Sequence, residues 1–375
     1  MTGKPLLLHV FPGFAVGGAQ MRFVQIANHF GGDYRHVIVS LNGNDEAFHR
    51  LSPDLDARMV EVPVVKGATL PNIRTYRTVL RELAPDLLVT SNWGSIEWAM
   101  ANWDGRVRHL HMEDGFGPEE ANRQIPRRVW TRRLTLRRST VMLPSINLFH
   151  LARDVWRLPR RTICHIPNGI DCDRFASGAD RSFASAMGLT EGSPIIGTVA
   201  ALRSEKNLLR LIDAFALVAD NRPARLAIVG DGAEKEALRA RAIDRGVAGS
   251  VIFTGACREP EKLLGAMSVF ALSSDTEQMP ISILEAMAAG LPVASTDVGD
   301  VRRMLVSDND RFVVPRDASA LAGAIAGLLD DPGTAAAIGA ANARRARDVY
   351  DQSLMFAAYR TLFDGGDAGA QTRPS

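Results

Sequence analysis

The chain has 375 residues, of which 46% are apolar and 23% charged. These fractions exclude a disordered chain, a coiled coil and a small disulfide-stapled scaffold, and at ~150 residues per domain the length predicts two or three domains. The formal charge of +2 conceals an asymmetry: residues 1–170 hold 22 Lys and Arg against 15 Asp and Glu, whereas residues 171–375 hold 22 against 27.

Short apolar runs alternate with amphipathic segments from the start of the chain. Leu6–Phe11, His36–Leu41, Met59–Pro63, Leu87–Thr90, Val107–His111 and Val141–Pro144 read as strands, with helices at Ala19–Phe30, Thr75–Leu83 and Ile96–Trp103. The pattern restarts after the turn Pro167-Asn168-Gly169. Its second set of strands is Ile195–Ala200, Arg225–Val229, Val251–Thr254, Val269–Leu272, Pro292–Ser295 and Arg311–Val314. Helices lie between them at Asn207–Ala219, Glu234–Asp244, Glu261–Ala266, Ile281–Ala289 and Ser319–Leu329. This alternation predicts an α/β protein with two doubly wound domains, each a parallel sheet covered on both faces. The expected boundaries are 1–168 and 169–349, a helix over 350–363 that crosses back to the first domain, and an unstructured tail over 364–375.

Cys164, Cys172 and Cys257 form neither a metal-ligand spacing nor a disulfide framework, which points to a reducing cytoplasm. The apolar run Leu6–Ala15 is broken by Pro12 and Gly13 and lacks the flanks of a secretory leader. No run reaches the ~18 apolar residues that would span a bilayer.

The most informative segment is Ser273–Pro292, a strand end that turns into an apolar helix. Pro280 suits the first helical position, which leaves the N–H groups of Ile281 and Ser282 at the positive end of the helix dipole, a geometry that binds phosphate. Glu285, a single charge in an apolar helix, lies just over one turn inside, within reach of a ribose diol; Glu277 is on the loop before.

Glu277 and Glu285 are separated by seven residues, and the run ends Glu-Ala-Met-Ala-Ala-Gly-Leu-Pro-Val. This resembles the E-x7-E signature of the retaining glycosyltransferases of family 4 (glycosyl transferases group 1), which have the GT-B fold: two Rossmann-like domains facing a cleft. Supporting segments occur in the right order. Val199–Asn207 resembles the family's diphosphate clamp, Ile228–Gly232 its strand–GDG turn, Phe253–Gly255 its base-binding edge and Ile166–Asp171 its interdomain segment. The resemblance covers residues 5–363. It implies that Arg203 and Lys206 neutralise the donor diphosphate, that Glu285 holds the ribose and that Glu277 contacts the sugar. Gly230, Gly255, Gln278, Met279, Pro280, Ile281 and Ser282 would line the rest of the donor site. Two positions depart from the pattern: Ala201 stands where the family more often has the clamp arginine, and Gln278 replaces a glycine, which leaves donor identity open.

In the first half, Gly17 and Gly18 follow the first strand and open a helix, which permits close backbone approach to a ligand. This is not a GxGxxG run, so it is a poor dinucleotide motif. The resemblance makes it a loop near the transferred sugar. His111, at a strand end, matches the family's cleft histidine. An alternative alignment of Glu113-Asp114-Gly115 puts Asp114 there instead. His109-x-His111 has no third zinc ligand nearby, and Asp171-Cys172-Asp173 is not at a nucleotide-binding strand end, so no metal is expected.

Residues 123–138 contain seven arginines, including Arg127, Arg128, Arg132 and Arg133, with no acid after Glu120. One reading is a basic amphipathic helix on anionic lipid or acceptor; the other is a solvated helix whose partners lie in the acidic half. Nucleic acid is not expected, because aromatic interleaving is absent. The resulting expectation is a retaining, metal-independent enzyme that needs no cofactor. It would move a sugar from a nucleotide-diphosphate donor to a glycan or lipid-linked acceptor in bacterial cell-surface polysaccharide synthesis, in the cytoplasm or at the inner face of the plasma membrane. The alternatives are a GT-B nucleotide-sugar epimerase and a non-catalytic membrane-peripheral scaffold.

Overall fold

A computed structural model describes residues 3–116, 118–120, 123–190 and 192–366. The chain forms two compact units, one comprising Met1–Pro167 with Met355–Ser375 and the other Asn168–Leu354. The tail expected over 364–375 lies outside the described residues from position 367 onward.

The first unit is built on seven strands: Leu6–Phe11 (β1), Arg35–Ser40 (β2), Ala57–Met59 (β3), Leu87–Ser91 (β4), Arg108–Met112 (β5), Thr140–Leu143 (β6) and Ile163–His165 (β7). All are parallel, in the order β3-β2-β1-β4-β5-β6-β7. The central strands are continuous apolar runs because helices cover both faces of the sheet. On one face Leu7, Val89, Leu110 and Met142 pack with Ile26, Phe30, Tyr359 and Phe363. On the other, Leu8, Val10 and Leu88 pack with Tyr76, Leu80 and Trp98.

The third strand ends at Met59, earlier than the sequence suggests. Val60 still donates to the Ile38 carbonyl, but Pro63 has no N–H to extend the ladder. The seventh strand, Ile163–His165, has no counterpart in the sequence reading, since three residues are too few to show a period. The described chain ends with two helices, Pro332–Tyr350 and Gln352–Phe363, the second matching the helix expected over 350–363. They are separated at Asp351, whose extended backbone pairs with Ile170. Met355, Phe356, Tyr359, Leu362 and Phe363 form the buried stripe of the last helix, at the spacing of one helical face.

The second unit repeats the plan with Ile195–Val199 (β8), Arg225–Val229 (β9), Val251–Gly255 (β10), Val269–Leu272 (β11), Val293–Thr296 (β12) and Val313–Val314 (β13). The order is β10-β9-β8-β11-β12-β13, again all parallel. Successive strand residues alternate between two cores. Ile196, Leu226 and Val269 pack with Leu211, Phe215 and Ile325, whereas Ile195, Ala227 and Phe270 pack with Ile283, Leu284 and Met287.

The turn after β9 lies against the backbone after β8. Ala200 N–H donates to Val229 and Leu202 N–H to Asp231, at 3.0 and 2.9 Å. Gly230, at φ +147°, makes this possible, because a Cβ there would collide with the Ala200 carbonyl oxygen. Gly230→Ala should therefore lower the unfolding free energy by roughly 1–3 kcal/mol. Gly323, inside the helix Ala318–Asp330 with open space where its Cβ would be, should give the opposite result on mutation to Ala, a gain of about 1 kcal/mol. Paired urea titrations check both, and a Gly230→Ala protein as stable as the parent would contradict the packing argument.

Candidate active site

In each sheet the strand order reverses beside the first strand, between β1 and β4 and between β8 and β11. Ligands of doubly wound folds bind at the carboxyl ends of the strands at that point. In the second unit, the loops that leave β8 and β11 there carry Lys206 and Glu277. Lys206 Nζ donates to Glu277 Oε1 at 2.5 Å, and Ser274 Oγ donates to the same oxygen at 2.7 Å. The pair is half-buried, with side-chain exposures of 20% and 11%. Backbone contacts tie the two loops: Asp275 N–H donates to the Glu205 carbonyl at 2.9 Å and Ser273 Oγ to the Lys206 carbonyl at 3.0 Å.

Arg210 braces the arrangement from the helix Leu208–Ala219, reaching the Ser273 carbonyl at 2.7 Å and Asp275 Oδ1 at 2.6 Å. Arg316 Nη1 donates to the Asp275 carbonyl at 3.0 Å. Sequence reasoning missed Ser274, Arg210 and Arg316. For Ser274 a signal existed, a small hydroxyl residue three positions before Glu277; the other two are distant in sequence. Gly299, also missed, is at φ +53°, where a Cβ would stand 2.5 Å from the Glu277 carbonyl oxygen and 2.6 Å from that of Gln278. It allows the Asp297–Asp300 turn to lie against this loop.

The helix after the loop begins at Ile281. Pro280 is its extended N-cap, at φ −67° and ψ 122°, and so stands just before the first helical position rather than at it. The physical consequence survives, since no side chain caps the helix and the Ile281 and Ser282 N–H groups have no acceptor among the described residues. Met279 is buried, its carbonyl accepting from Asn168 Nδ2 at 3.0 Å, so it anchors the loop. Gln278 gives its carbonyl to the Asp300 N–H at 2.9 Å. Glu285 is half-buried, and no hydrogen bond reaches its carboxyl group among the described residues. Burial pushes this carboxyl up to about 7; the Arg174 guanidinium opposes the shift and Glu261 adds to it. Gly230 and Gly255 are bridged backbone to backbone, Gly230 N–H donating to Gly255 O at 2.9 Å. Arg203 is not drawn to Lys206. Its side chain is 63% exposed and pairs with Glu205 at 3.1 Å.

In the first unit, Gly17 caps and Gly18 opens the helix Gly18–Phe30 after β1. Val16 N–H and Gln20 Nε2 fix this loop through Glu46 Oε2 at 3.4 Å and the Gly13 carbonyl at 2.9 Å. Asp114 is held by Arg22 in a two-point ion pair, at 2.5 and 2.9 Å, with Arg22 buried. Its backbone N–H donates to Asn92 Oδ1 at 2.7 Å.

His111 is fully buried at the end of β5 and belongs to a hydrogen-bonded chain that threads the sheet. Its Nδ1 is 2.8 Å from Thr90 Oγ1, which is 2.8 Å from His109 Nε2, and His109 Nδ1 is 2.7 Å from Ser139 Oγ. At the other end, His111 Nε2 faces Glu113 Oε2 at 3.6 Å. One direction of the chain places a proton, rather than a lone pair, against that carboxylate. In it Ser139 donates to His109, His109 to Thr90 and Thr90 to His111, leaving the proton of His111 on Nε2. Ser91 Oγ, His111 Nε2 and Glu113 Oε1 are buried without a hydrogen-bond partner among the described residues. All three residues lie at the carboxyl ends of β4 and β5.

The helix Pro126–Thr135 overturns part of the surface-patch reading. Arg132 is fully buried, bound to Glu113 Oε2 at 3.1 Å and Glu120 Oε2 at 3.2 Å, with its guanidinium about 5 Å from the rings of Trp93, Phe116 and Trp156. Arg128 pairs with Glu119 and Glu120 at 2.7 and 3.0 Å. Arg132 is therefore closed to lipid and acceptor, whereas Arg128, at 16% side-chain exposure, is occupied by two carboxylates. Their acidic partners belong to the same unit, because a guanidinium buried without a carboxylate would be far too costly. Burial alone would raise the Glu120 carboxyl, yet hydrogen bonds from Arg132 and Arg128 hold it below its ordinary value. Arg127 is exposed, and Arg133 lies 5.0 Å from the Trp130 ring. Among the described residues no group of three or more His, Cys, Asp or Glu converges as a metal-ligand set.

Residues 181–345 match the family described as glycosyl transferases group 1, and residues 16–174 match glycosyltransferase family 4. The chain belongs to these glycosyltransferases and has the GT-B fold. Its relatives include the Corynebacterium glutamicum GDP-mannose-dependent monoacylated alpha-(1-6)-phosphatidylinositol monomannoside mannosyltransferase, 31% identical over 52% of this chain and 54% of that protein. The Mycobacterium tuberculosis GDP-mannose-dependent alpha-mannosyltransferase is 29% identical over 66% of this chain and 54% of its own length. The chain thus spans about half the length of these curated relatives. Among solved structures, Anabaena Alr3699/HepE in complex with UDP-glucose aligns at a TM-score of 0.81 over 96% of this chain and 99% of that one. At 19% identity this shows likeness of fold alone.

The two histidines supply a direct check. Burial, reinforced by the neighbouring His111, lowers His109 to about 3 from its ordinary 6.5. Proton–nitrogen correlation spectra should therefore show His109 neutral at about pH 5, with its proton on Nε2 and Nδ1 bare. A His109 that titrates near 6.5 would contradict its burial, and one protonated at Nδ1 would contradict the chain's direction.

Proposed function

We propose that this protein transfers a hexose from a nucleoside-diphosphate sugar to a glycan or lipid-linked acceptor, with retention at the anomeric carbon and without a resident metal ion. The observation that carries this reading is the Lys206–Glu277 pair at the sheet reversal, beside the uncapped helix N-terminus at Ile281 and Ser282. When the bond from the anomeric carbon to the diphosphate breaks, its electron pair stays on the leaving phosphate oxygen. A fixed ammonium and two backbone N–H groups aimed at that charge stabilise it. Arg203, exposed and paired with Glu205, swings in to the same phosphates. Lys206 moves from Glu277 to the diphosphate, and Glu277 is freed to accept from a sugar hydroxyl.

The acceptor hydroxyl attacks from the face the diphosphate leaves, and its proton passes to the leaving phosphate oxygen. Retention by this route needs no carboxylate nucleophile, and it fits a Glu277 already engaged by Lys206 and Ser274. The first unit receives the acceptor near Gly17, Gly18 and His111. The mannosyltransferases among the relatives favour GDP-mannose as donor and a glycolipid of bacterial cell-surface synthesis as acceptor. A lipid acceptor requires peripheral contact with the membrane. No described helix is long and apolar enough to cross one.

Transfer of labelled sugar from a panel of nucleotide sugars to membrane lipids, with EDTA present, tests the reading. Lys206→Ala should cost about 100-fold or more in kcat/KM. An unchanged rate in that variant would remove the clamp, and loss of activity in EDTA would remove the metal-free mechanism.

Glu285 gives a pH signature. A ribose diol donates to the carboxylate, so binding favours the ionised form, and affinity rises with pH until pH passes the free-protein value of about 7. Nucleotide-sugar affinity should climb between about pH 6 and about pH 8, and the climb should vanish in Glu285→Gln. A nucleotide sugar is the proper ligand because its diphosphate does not titrate in that window. A flat profile in the parent protein, read by calorimetry, would count against the ribose role.

A further inference from the structure

The first unit contains a cavity of about 410 Å³ at the opposite end of its sheet from Gly17, Glu113 and Asp114, and its lining reaches His109 and Ser139 of the histidine chain. Its lining includes Arg108 and Thr140, which begin β5 and β6. It is therefore at the amino ends of the strands, whereas the ligand crevice of a doubly wound sheet is at the carboxyl ends. Four guanidinium groups line it, those of Arg108, Arg137, Arg138 and Arg161, and no Asp or Glu does. Arg108 is fixed by the carbonyls of Leu362 and Phe363 at the end of the last helix. Arg137, Arg138 and Arg161 are exposed and make no ion pair among the described residues. The nearest acid in sequence, Asp104, is engaged by Arg106 at 2.7 Å.

The cavity's mouth is apolar as well as basic. Trp103 and Leu134 line it at 53% and 49% exposure, and Trp130, at 57%, precedes Leu134 by four residues on the helix Pro126–Thr135. Arg127, Trp130 and Leu134 follow one another at helical spacing along the face opposite the buried Arg132, and the stripe continues in the turn as Arg137 and Arg138. Exposed Trp103 and Trp130 beside arginines that make no ion pair among the described residues fit the boundary between headgroups and acyl chains, and a cavity of this volume suits a small polar ligand.

We infer that this cavity seats the phosphate of an anionic phospholipid headgroup, with Trp103, Trp130 and Leu134 entering the interfacial layer around it. Arg138 and Arg161 meet the phosphate charge, and Arg108 forms the fixed back wall. The inference is independent of transfer chemistry, so a cavity that takes no headgroup leaves the proposed reaction standing.

Flotation of the full chain with vesicles tests it. Three compositions are used: phosphatidylcholine alone, phosphatidylcholine with phosphatidic acid, and phosphatidylcholine with oleate at matched surface charge. The expected result is binding to the phosphatidic acid vesicles at least about tenfold tighter than to either of the others. Arg138→Ala/Arg161→Ala should lose about tenfold or more of that affinity, while Arg127→Ala/Arg133→Ala, outside the cavity, loses only a few-fold. Thermal melts confirm that these surface variants fold. Equal binding to the oleate vesicles, or equal losses in the two double variants, would reduce the effect to diffuse surface charge and overturn the site. Inorganic phosphate is the soluble arm. Saturable binding of phosphate that depends on Arg138 and Arg161, without vesicle binding, would assign the cavity to a soluble phosphate and overturn the lipid assignment.

Discussion

In both units the fourth strand pairs with the free side of the first, and the chain then leaves those two neighbouring strands in divergent directions. The rest of the site depends on this reversal. The loops after β8 and β11 are about seventy residues apart in sequence, yet the reversal brings Lys206 within 2.5 Å of Glu277. The same plan in the first unit sets Gly94, after β4, against Pro12, after β1. One topology therefore produces two crevices. Side chains then separate their chemistry into one that sets the Lys206–Glu277 pair beside an uncapped helix N-terminus and one built on buried histidine, carboxylate and guanidinium groups.

What was legible in the sequence follows the range of the signal. Strands such as Leu6–Phe11 and Val269–Leu272 are apolar runs that the chain must bury, and their positions agree with the sequence reading. Glu277, Pro280 and Glu285 form one contiguous motif, so their loop-to-helix setting was readable locally, except that Pro280 stops one position short of the helix. Contacts made across strands left no such trace. Nothing near Thr90 announces that its hydroxyl links His109 to His111, because strand pairing alone brings these residues together. Arg210 and Arg316 are likewise legible only once the sheet is assembled.

The arginine-rich segment shows why composition misleads. A run of guanidinium groups with no acid among them looks like a surface patch, but the helix has two faces and the acids come from elsewhere in the chain. Glu113 follows β5 and Glu120 precedes the helix, and together they neutralise Arg132 inside a box of three aromatic rings. The charge that remains outside belongs to Arg123 before the helix, to Arg127 and Arg133 on it and to Arg137 and Arg138 beyond it.

This division gives the buried arginine a consequence at the site. Glu113 is buried, and Arg132 is the cation that makes a carboxylate tolerable there. Glu113 Oε2 lies 3.6 Å from His111 Nε2, so the direction of donation that leaves the His111 proton on Nε2 is the one this contact favours. Replacing Arg132 with an apolar side chain would leave Glu113 without its buried cation, and the field that orients His111 would weaken. The inner face of the helix Pro126–Thr135 thus acts on His111 through one carboxylate, while its outer face presents Arg127, Trp130 and Leu134 to solvent.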